Sequence, residues 1–352
     1  MDDQPTLFEL PKSTAQVERG LVDRFIVPPF SVLDARQGYW NDRKRFWLSK
    51  GIKGEVGRKD GLLFRPGTSS MMNPEYAKKH YGINKLPPGT SVFDPVLTEV
   101  MYRWFCPPGG SVLDPFAGGS TRGVVASHLG LHYTGIELRK EQVEANEASV
   151  DRSVRPAPRW VLGDSMEIDD LLPESETFDF VLTSPPYYDL EQYSGTTKDG
   201  SSIDGAIFGY SVNSYAVFLE WYKKIFAKVF HRLRWNRFLA LQVGNFRDSD
   251  GALRSFVPSS VRLFEELGFT FYNECILVLP VMTLALRTSF VFPKARKIGR
   301  GHQTVPIFYK GMVKEIPENF RPADCEVAVE DASGDDTEGS GVDIGEEPSP
   351  AF

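Results

Sequence analysis

From Thr90 onward, short apolar runs alternate with longer stretches of helical pattern, and this alternation constrains the fold more than any other feature of the chain. The runs at 111–114, 132–137, 159–162, 178–183, 237–243, 270–279 and 304–309 read as strands. Helices fit at 94–105, 120–129, 139–149, 213–234 and 257–267, with Asp94 and Ser120 as N-terminal caps of the first two. Strands that alternate with helices belong to an α/β architecture, here a doubly wound, mostly parallel seven-stranded sheet. The longest apolar stretch, Cys275 to Leu286, spans 12 residues and contains Pro280. A bilayer-spanning helix needs about 20, so no membrane partner is expected.

The net charge of −7 hides an uneven distribution. Residues 323–352 hold ten acids and no Lys or Arg, so the remaining body is mildly basic. Residues 313–352 are expected to form an acidic, disordered tail, because from 323 onward acids, Gly and Ser are many and large apolar residues few. Residues 1–20 read as a flexible leader whose acidic, polar start does not fit a secretory signal. Residues 21–90 form a segment rich in basic and aromatic residues, and 189–212 a polar, Gly-rich insertion expected to be mobile. Cys106, Cys275 and Cys325 are far apart and odd in number, which favours a reducing, cytoplasmic setting over a disulfide framework. The five histidines form no cluster with metal-ligand spacing, so no metal is expected.

The run 111–114 leads straight into Asp114-Pro115-Phe116-Ala117-Gly118-Gly119-Ser120-Thr121. A strand, a Gly-rich turn and a helix start are the parts of a ligand site at the carboxyl edge of a sheet. The glycines at 118, 119 and 123 do not follow the dinucleotide pattern G-x-G-x-x-G. Glu137 ends the next strand, 23 residues after Asp114, about the spacing at which a carboxylate meets a ribose diol. Asp164 follows the third strand. Three acids at three successive strand ends suit a ligand with an amino group, a ribose and an adenine; helix caps and turn residues are the plainer alternative for any one of them.

The fourth strand ends in Ser184-Pro185-Pro186-Tyr187. Two prolines stiffen this loop and remove two backbone donors, leaving carbonyls as acceptors. Acceptors beside an aromatic plate fit a planar base with an exocyclic amine. Accepting the amine hydrogens at Ser184 and at the Pro185 carbonyl, with the base stacked on Tyr187, would activate the nitrogen by positioning and fixed dipoles. A Pro-rich turn without chemistry is the alternative.

Together these motifs resemble the amino-methyltransferases of DNA, which methylate cytosine N4 or adenine N6. The resemblance covers residues 91–312 and implies a Rossmann-like class I methyltransferase fold. It implies S-adenosylmethionine as cofactor, held by Phe93, Asp114, Phe116, Ala117, Gly118, Gly119, Ser120, Thr121, Glu137, Asp164 and Ser184. It also implies Ser184, Pro185, Pro186 and Tyr187 as the catalytic loop and double-stranded DNA as partner, with a flipped base as substrate. Arg300-Gly301-His302-Gln303 resembles the family's closing strand. Gly119-Ser120 stands where Ser-Gly is commoner; both orders keep the loop tight. Ser at 184 leans toward cytosine N4 over adenine N6. The order, cofactor segments before the catalytic loop, is permuted relative to members that begin with the catalytic loop. No nuclease-like carboxylate set accompanies these motifs, which suits a stand-alone enzyme, monomer or homodimer, of a bacterial or phage-infected cell. A methyltransferase of the same fold acting on RNA or protein is one alternative, and a silent DNA-binding regulator is another.

No long recognition domain follows the last strand, so recognition is expected in 21–90 or 189–212. Residues 36–59 hold eight basic residues and two acids, interleaved with Tyr39, Trp40 and Trp47. Arg36, Gln37, Asn41, Arg43, Lys44 and Arg45 are candidate DNA contacts there, as are Arg296 and Lys297 in a second basic run at 287–300. A solvated basic face around a few core aromatics explains the first stretch equally well.

Overall fold

The computed structural model describes residues 14–52, 93–151, 153–186, 192–198, 202–206, 215–248, 251–281 and 284–326. The strands are β1 (Val32–Asp34), β2 (Ser111–Asp114), β3 (His132–Glu137), β4 (Arg159–Leu162), β5 (Phe178–Thr183), β6 (Gln192–Thr196), β7 (Ser202–Ala206), β8 (Leu233–Leu241), β9 (Phe246–Arg247), β10 (Leu253–Arg254), β11 (Thr270–Val278) and β12 (His302–Lys310). The main sheet has eight strands in the order β1-β11-β12-β8-β5-β2-β3-β4. Strand β12 runs antiparallel to both its neighbours, and the other pairings are parallel. The fold is therefore the expected doubly wound α/β sheet, with β1 as an additional edge strand. At three residues, β1 is too short to give an alternation signal in the sequence.

Helices α1 (Thr14–Phe25), α2 (Gly38–Ser49), α3 (Pro95–Phe105), α4 (Thr121–His128), α5 (Lys140–Ser149), α6 (Ile168–Leu171), α7 (Tyr215–Arg232), α8 (Phe256–Glu266), α9 (Leu284–Ala295) and α10 (Ile316–Asn319) surround the sheet. Asp94 caps α3 as expected, accepting from the amides of Val96 and Leu97. Ser120 occupies the cap position of α4, but its hydroxyl makes no capping bond, contrary to expectation. Helix α9 was not legible: its apolar start merges with the end of β11 into one apolar run.

Alternation along the strands divides the core in two. Val112, Phe180, Leu182, Phe238 and Ala240 pack with Val96, Val100 and Met101 of α3 and with Trp40 and Trp47 of α2. Leu113, Val181, Leu239 and Leu241 pack instead with Phe218, Tyr222 and Phe226 of α7 and Phe264 of α8. Each fully buried ring of this kind contributes about 1.5–3 kcal/mol.

Both expected domain boundaries shift. Strand β1 pairs with β11, and Trp40 and Trp47 are buried, so the described part of the 21–90 segment shares the main core. At the other end, Ile316 and Phe320 pack against that core, so the body extends past residue 312. The tail from 327 lies outside the described residues. Within the 189–212 insertion, β6 and β7 pair as an antiparallel hairpin where a loop was expected.

Candidate active site

Strand order reverses between β2 and β5: β3 and β4 lie on one side, β8 and β12 on the other. In doubly wound sheets, ligands bind at the carboxyl ends of the strands beside such a switch point. Asp114 ends β2 and Thr183 ends β5, so the two sequence motifs meet there. The Thr183 hydroxyl donates to Asp114 Oδ1 at 2.7 Å.

Asp114 is wholly buried and its carboxylate is shared among several donors. Oδ1 also accepts from the Phe116 amide at 3.2 Å, while Oδ2 accepts from Arg122 Nε at 2.5 Å and the Tyr133 hydroxyl at 2.7 Å. Arg122 Nη2 continues to the carbonyls of Phe116 and Ala117 at 2.7 and 3.0 Å, so the loop curls around one guanidinium. The Phe93 ring lies 4.2 Å from that guanidinium. Burial works against the Arg122 charge, but Asp114 and the neighbouring phenols outweigh it and raise its pKa above the ordinary value. Burial, reinforced by Asp114, also lifts the Tyr133 phenol well above its usual range, so it stays a neutral donor. In this arrangement Asp114 anchors the loop; the direct contact with a cofactor expected of it would have to share these partners.

Gly118 is pinned from both sides. Its amide donates to Glu137 Oε2 at 2.9 Å, and its carbonyl accepts from Asn146 Nδ2 at 2.8 Å. Glu137 Oε1 accepts from the Arg139 amide at 3.1 Å and pairs with its guanidinium at 3.4 Å. Arg139 reaches Gln142 at 2.8 Å, and Gln142 reaches Asn146 at 2.8 Å, closing the circuit. Glu137 thus fixes the loop. Asp164 takes the Met166 amide at 2.8 Å and stays partly exposed after β4. Ser165, which follows it, is tied through its hydroxyl to the Pro115 carbonyl.

Two features fit this loop to a cofactor. Gly118 has φ +52°, and a Cβ built on it would meet nothing within 4 Å, so its outer side is open. Ser120 is 1% exposed and its Oγ has no partner among the described residues, at the N-terminus of α4 where an anionic group is favoured. Ala117 and Thr121 are buried beside them. Phe116 is half-buried, its ring 5.9 Å from Trp221 of α7.

Ser184 is half-buried and Pro185 and Pro186 are buried. The Ser184 hydroxyl donates to the Gln242 carbonyl at 3.1 Å, and the Gln242 amide donates to the Thr183 carbonyl at 2.9 Å. Tyr187 lies outside the described residues. Among the described residues no group of His, Cys, Asp or Glu is arranged to hold a metal ion. No helix among them is long and apolar enough to cross a membrane.

The candidate nucleic-acid residues divide. Arg43 is turned inward: Nε and Nη2 meet the buried Glu99 carboxylate at 2.7 and 2.5 Å, which also accepts from Trp47 Nε1 at 2.6 Å and Arg103 Nε at 3.0 Å. That corrects its reading as a phosphate contact; Arg43 docks α2 on α3. Lys44 pairs with Asp94 at 2.9 Å, Arg45 with Asp42, and Arg36 with Asp34 at 2.8 Å. Gln37 reaches Asp34 at 3.1 Å, and Asn41 the Gln37 carbonyl at 3.0 Å. These surface pairs are weak and exchangeable. Arg296 is exposed and Lys297 half-buried. Both precede β12, whose antiparallel direction places its start at the carboxyl edge beside the Ser184 loop. Lys53, Arg58 and Lys59 lie outside the described residues.

Arg122, Tyr133, Thr183, Asn146 and Gln242 carry much of this geometry without having been singled out in the sequence. Their one sequence signal is polar character at positions where the core pattern calls for apolar residues.

Residues 41–148 match a family model described as DNA methylase, of the N6/N4 amino-methyltransferase type. The match takes in α3, the loop from Asp114 to Thr121 and Glu137, and ends before the Ser184 loop. Among solved structures, a methyltransferase from Pyrococcus furiosus is similar at 17% identity and TM-score 0.39, covering 68% of this chain and 95% of that one. TrmN from Thermus thermophilus is similar at 14% identity and TM-score 0.40, covering 79% and 80%. The magnesium protoporphyrin IX methyltransferase of Synechocystis PCC 6803 gives 11% identity and TM-score 0.34, covering 57% and 70%.

Proposed function

We propose that this chain is a DNA amino-methyltransferase that uses S-adenosylmethionine to methylate the exocyclic amine of a base flipped out of double-stranded DNA, cytosine N4 ahead of adenine N6; the match of residues 41–148 to a DNA methylase family model supports this reading. The cofactor, when bound, supplies an electrophilic methyl group. The cofactor loop from Asp114 to Thr121, with Phe93, Glu137 and Asp164, would hold it. Gly118 gives close backbone approach, Glu137 a carboxylate for hydroxyls, and Ser120 with the α4 terminus an anion-favouring corner.

The observation that carries the reading is the Ser184 hydrogen bond. With its proton held on the Gln242 carbonyl, the hydroxyl oxygen presents only lone pairs to a ligand. A hydroxyl held in this way is an acceptor, as an amine substrate requires and a carbonyl substrate does not. The Pro185 carbonyl supplies a second acceptor from a segment whose prolines have no N–H to offer. Drawing on both amine hydrogens favours a pyramidal nitrogen with its lone pair available. Ser184, a neutral acceptor, favours cytosine on the strength of the family resemblance. Arg296 and Lys297, at the same edge, are positioned to meet phosphates; Arg36, Gln37 and Asn41 border the carboxyl end of β1.

Ser184→Ala tests the reading. Cofactor affinity by titration calorimetry should stay near the parental value while methylation of DNA falls by about 10²–10³, the usual loss for one oriented polar group. Methylation at the parental rate would remove the amine-acceptor role.

A further inference from the structure

Gln242 stands one residue beyond β8 and is 9% exposed. Its side-chain Oε1 is buried and meets no donor among the described residues. Leaving such an acceptor unpaired costs about 1–3 kcal/mol, a penalty an apolar residue of the same size would avoid. Its location gives the reason. Thr183 and Leu241 are register partners in the parallel pair β5–β8, so Ser184 and Gln242 are the next pair along. The bond from Ser184 Oγ to the Gln242 carbonyl holds the two side by side at the carboxyl edge.

We propose that the Gln242 side-chain amide is a specificity-determining contact for the target base. It reads the edge where the exocyclic amine adjoins a ring nitrogen, and so rests on the amine-methylation reading above. That edge offers a hydrogen-bond donor beside an acceptor, which is the complement of a carboxamide. Nε2 donates to the ring nitrogen, and Oε1 accepts the amine hydrogen on that side, sharing it with the Pro185 carbonyl in a three-centre bond. Ser184 accepts the other hydrogen. The unpaired oxygen is then a site kept ready for the base, and Gln242 both holds the Ser184 proton through its carbonyl and registers the ring through its side chain.

The test pairs one variant with one altered base. Gln242→Met keeps the length and removes both polar groups. Two duplexes are compared: one with the base the parental enzyme methylates, one with a ring nitrogen flanking the amine replaced by C–H (for adenine, each flanking nitrogen in turn). The parental enzyme should lose about tenfold to a hundredfold in kcat/KM on the altered duplex, the usual range for a bidentate base contact. Gln242→Met should lose a similar factor on the natural duplex and hardly distinguish the two, with cofactor affinity unchanged. Gln242→Glu gives a second readout. Its carboxyl mimics the amide only when protonated, so its activity relative to the parent should rise as pH falls. Discrimination by Gln242→Met equal to the parental value, or a flat pH ratio for Gln242→Glu, overturns the contact while leaving amine methylation standing. A parental enzyme that methylates no DNA amine overturns both.

Discussion

The Thr183 hydroxyl and the Asp114 carboxylate, 2.7 Å apart, join the strand end that leads into the Ser184-Pro185-Pro186 loop to the strand end that leads into the Gly118 loop. The bond is wholly buried, and the same carboxylate receives Arg122 and Tyr133. A shift in either loop is therefore felt by the other.

Thr183→Val keeps the shape and removes the donor. It should cost about 1–3 kcal/mol of stability, seen as a fall of a few degrees in Tm. Cofactor affinity and kcat should weaken together, by calorimetry and steady-state methylation. A change in only one of the two would show that the loops are independent.

Gly118→Ala separates folding from cofactor binding. At φ +52° an alanine pays about 1–2 kcal/mol for the left-handed conformation. The new methyl group stands in the open side of the loop, so cofactor affinity should fall more than tenfold in a protein that still melts cooperatively. Unchanged affinity would place the cofactor elsewhere.

Glu99 and Arg43 define a prediction about the basic segment. Glu99→Ala leaves Arg43 and the Trp47 indole without their acceptor and should cost about 3 kcal/mol, the low end for a broken buried pair, because Arg43 keeps a fifth of its side chain exposed. Arg43→Ala should likewise lower Tm yet leave the salt dependence of DNA binding unchanged. Removing Arg296 and Lys297 together should flatten that slope by about 0.9 per lost phosphate contact. Fluorescence anisotropy across a salt series reads both.

Asp179 gives the pH dependence of stability a testable sign. It is buried at the amino end of β5. Burial pushes its carboxyl up, but hydrogen bonds from the Ser111 amide, Arg234 and Arg237 outweigh this and hold it below the usual range. A folded pKa below the unfolded one, about 3.9, means that the stabilisation is present above that pH and fades as pH falls through the folded value. Asp179→Asn should lower Tm at neutral pH and narrow the gap to the parent as pH drops. A gap constant down to acid pH would show that this carboxylate does not drive the acid limb.

Much of this was legible in the chain because strand ends carry both fold and site. The run 178–183 was bounded to the residue, since its apolar centre, Phe180 to Leu182, is followed three residues later by the first of two prolines. Asp94 was legible as a cap because capping is local. What escaped was set by distant partners. Nothing near Arg43 says that Glu99, fifty-six positions on, will take its guanidinium, and its stretch read as phosphate-binding on charge alone. Trp40 and Trp47 left core and nucleic acid equally open until α2 docked on α3. Asp114 and Glu137 were read as ligand contacts from their places at strand ends, while the donors that make them loop anchors lie on α4, β3 and the turn after β3.

The central claim is methyl transfer to an exocyclic amine of DNA. Its most direct test supplies the purified protein with isotopically methyl-labelled S-adenosylmethionine and, in parallel, duplex DNA, RNA and protein, then digests the labelled nucleic acid to nucleosides for mass spectrometry. The account predicts label in duplex DNA, carried as N4-methylcytosine ahead of N6-methyladenine. Label confined to RNA or protein, a methyl group on a ring carbon, or no transfer by protein that binds the cofactor would contradict it.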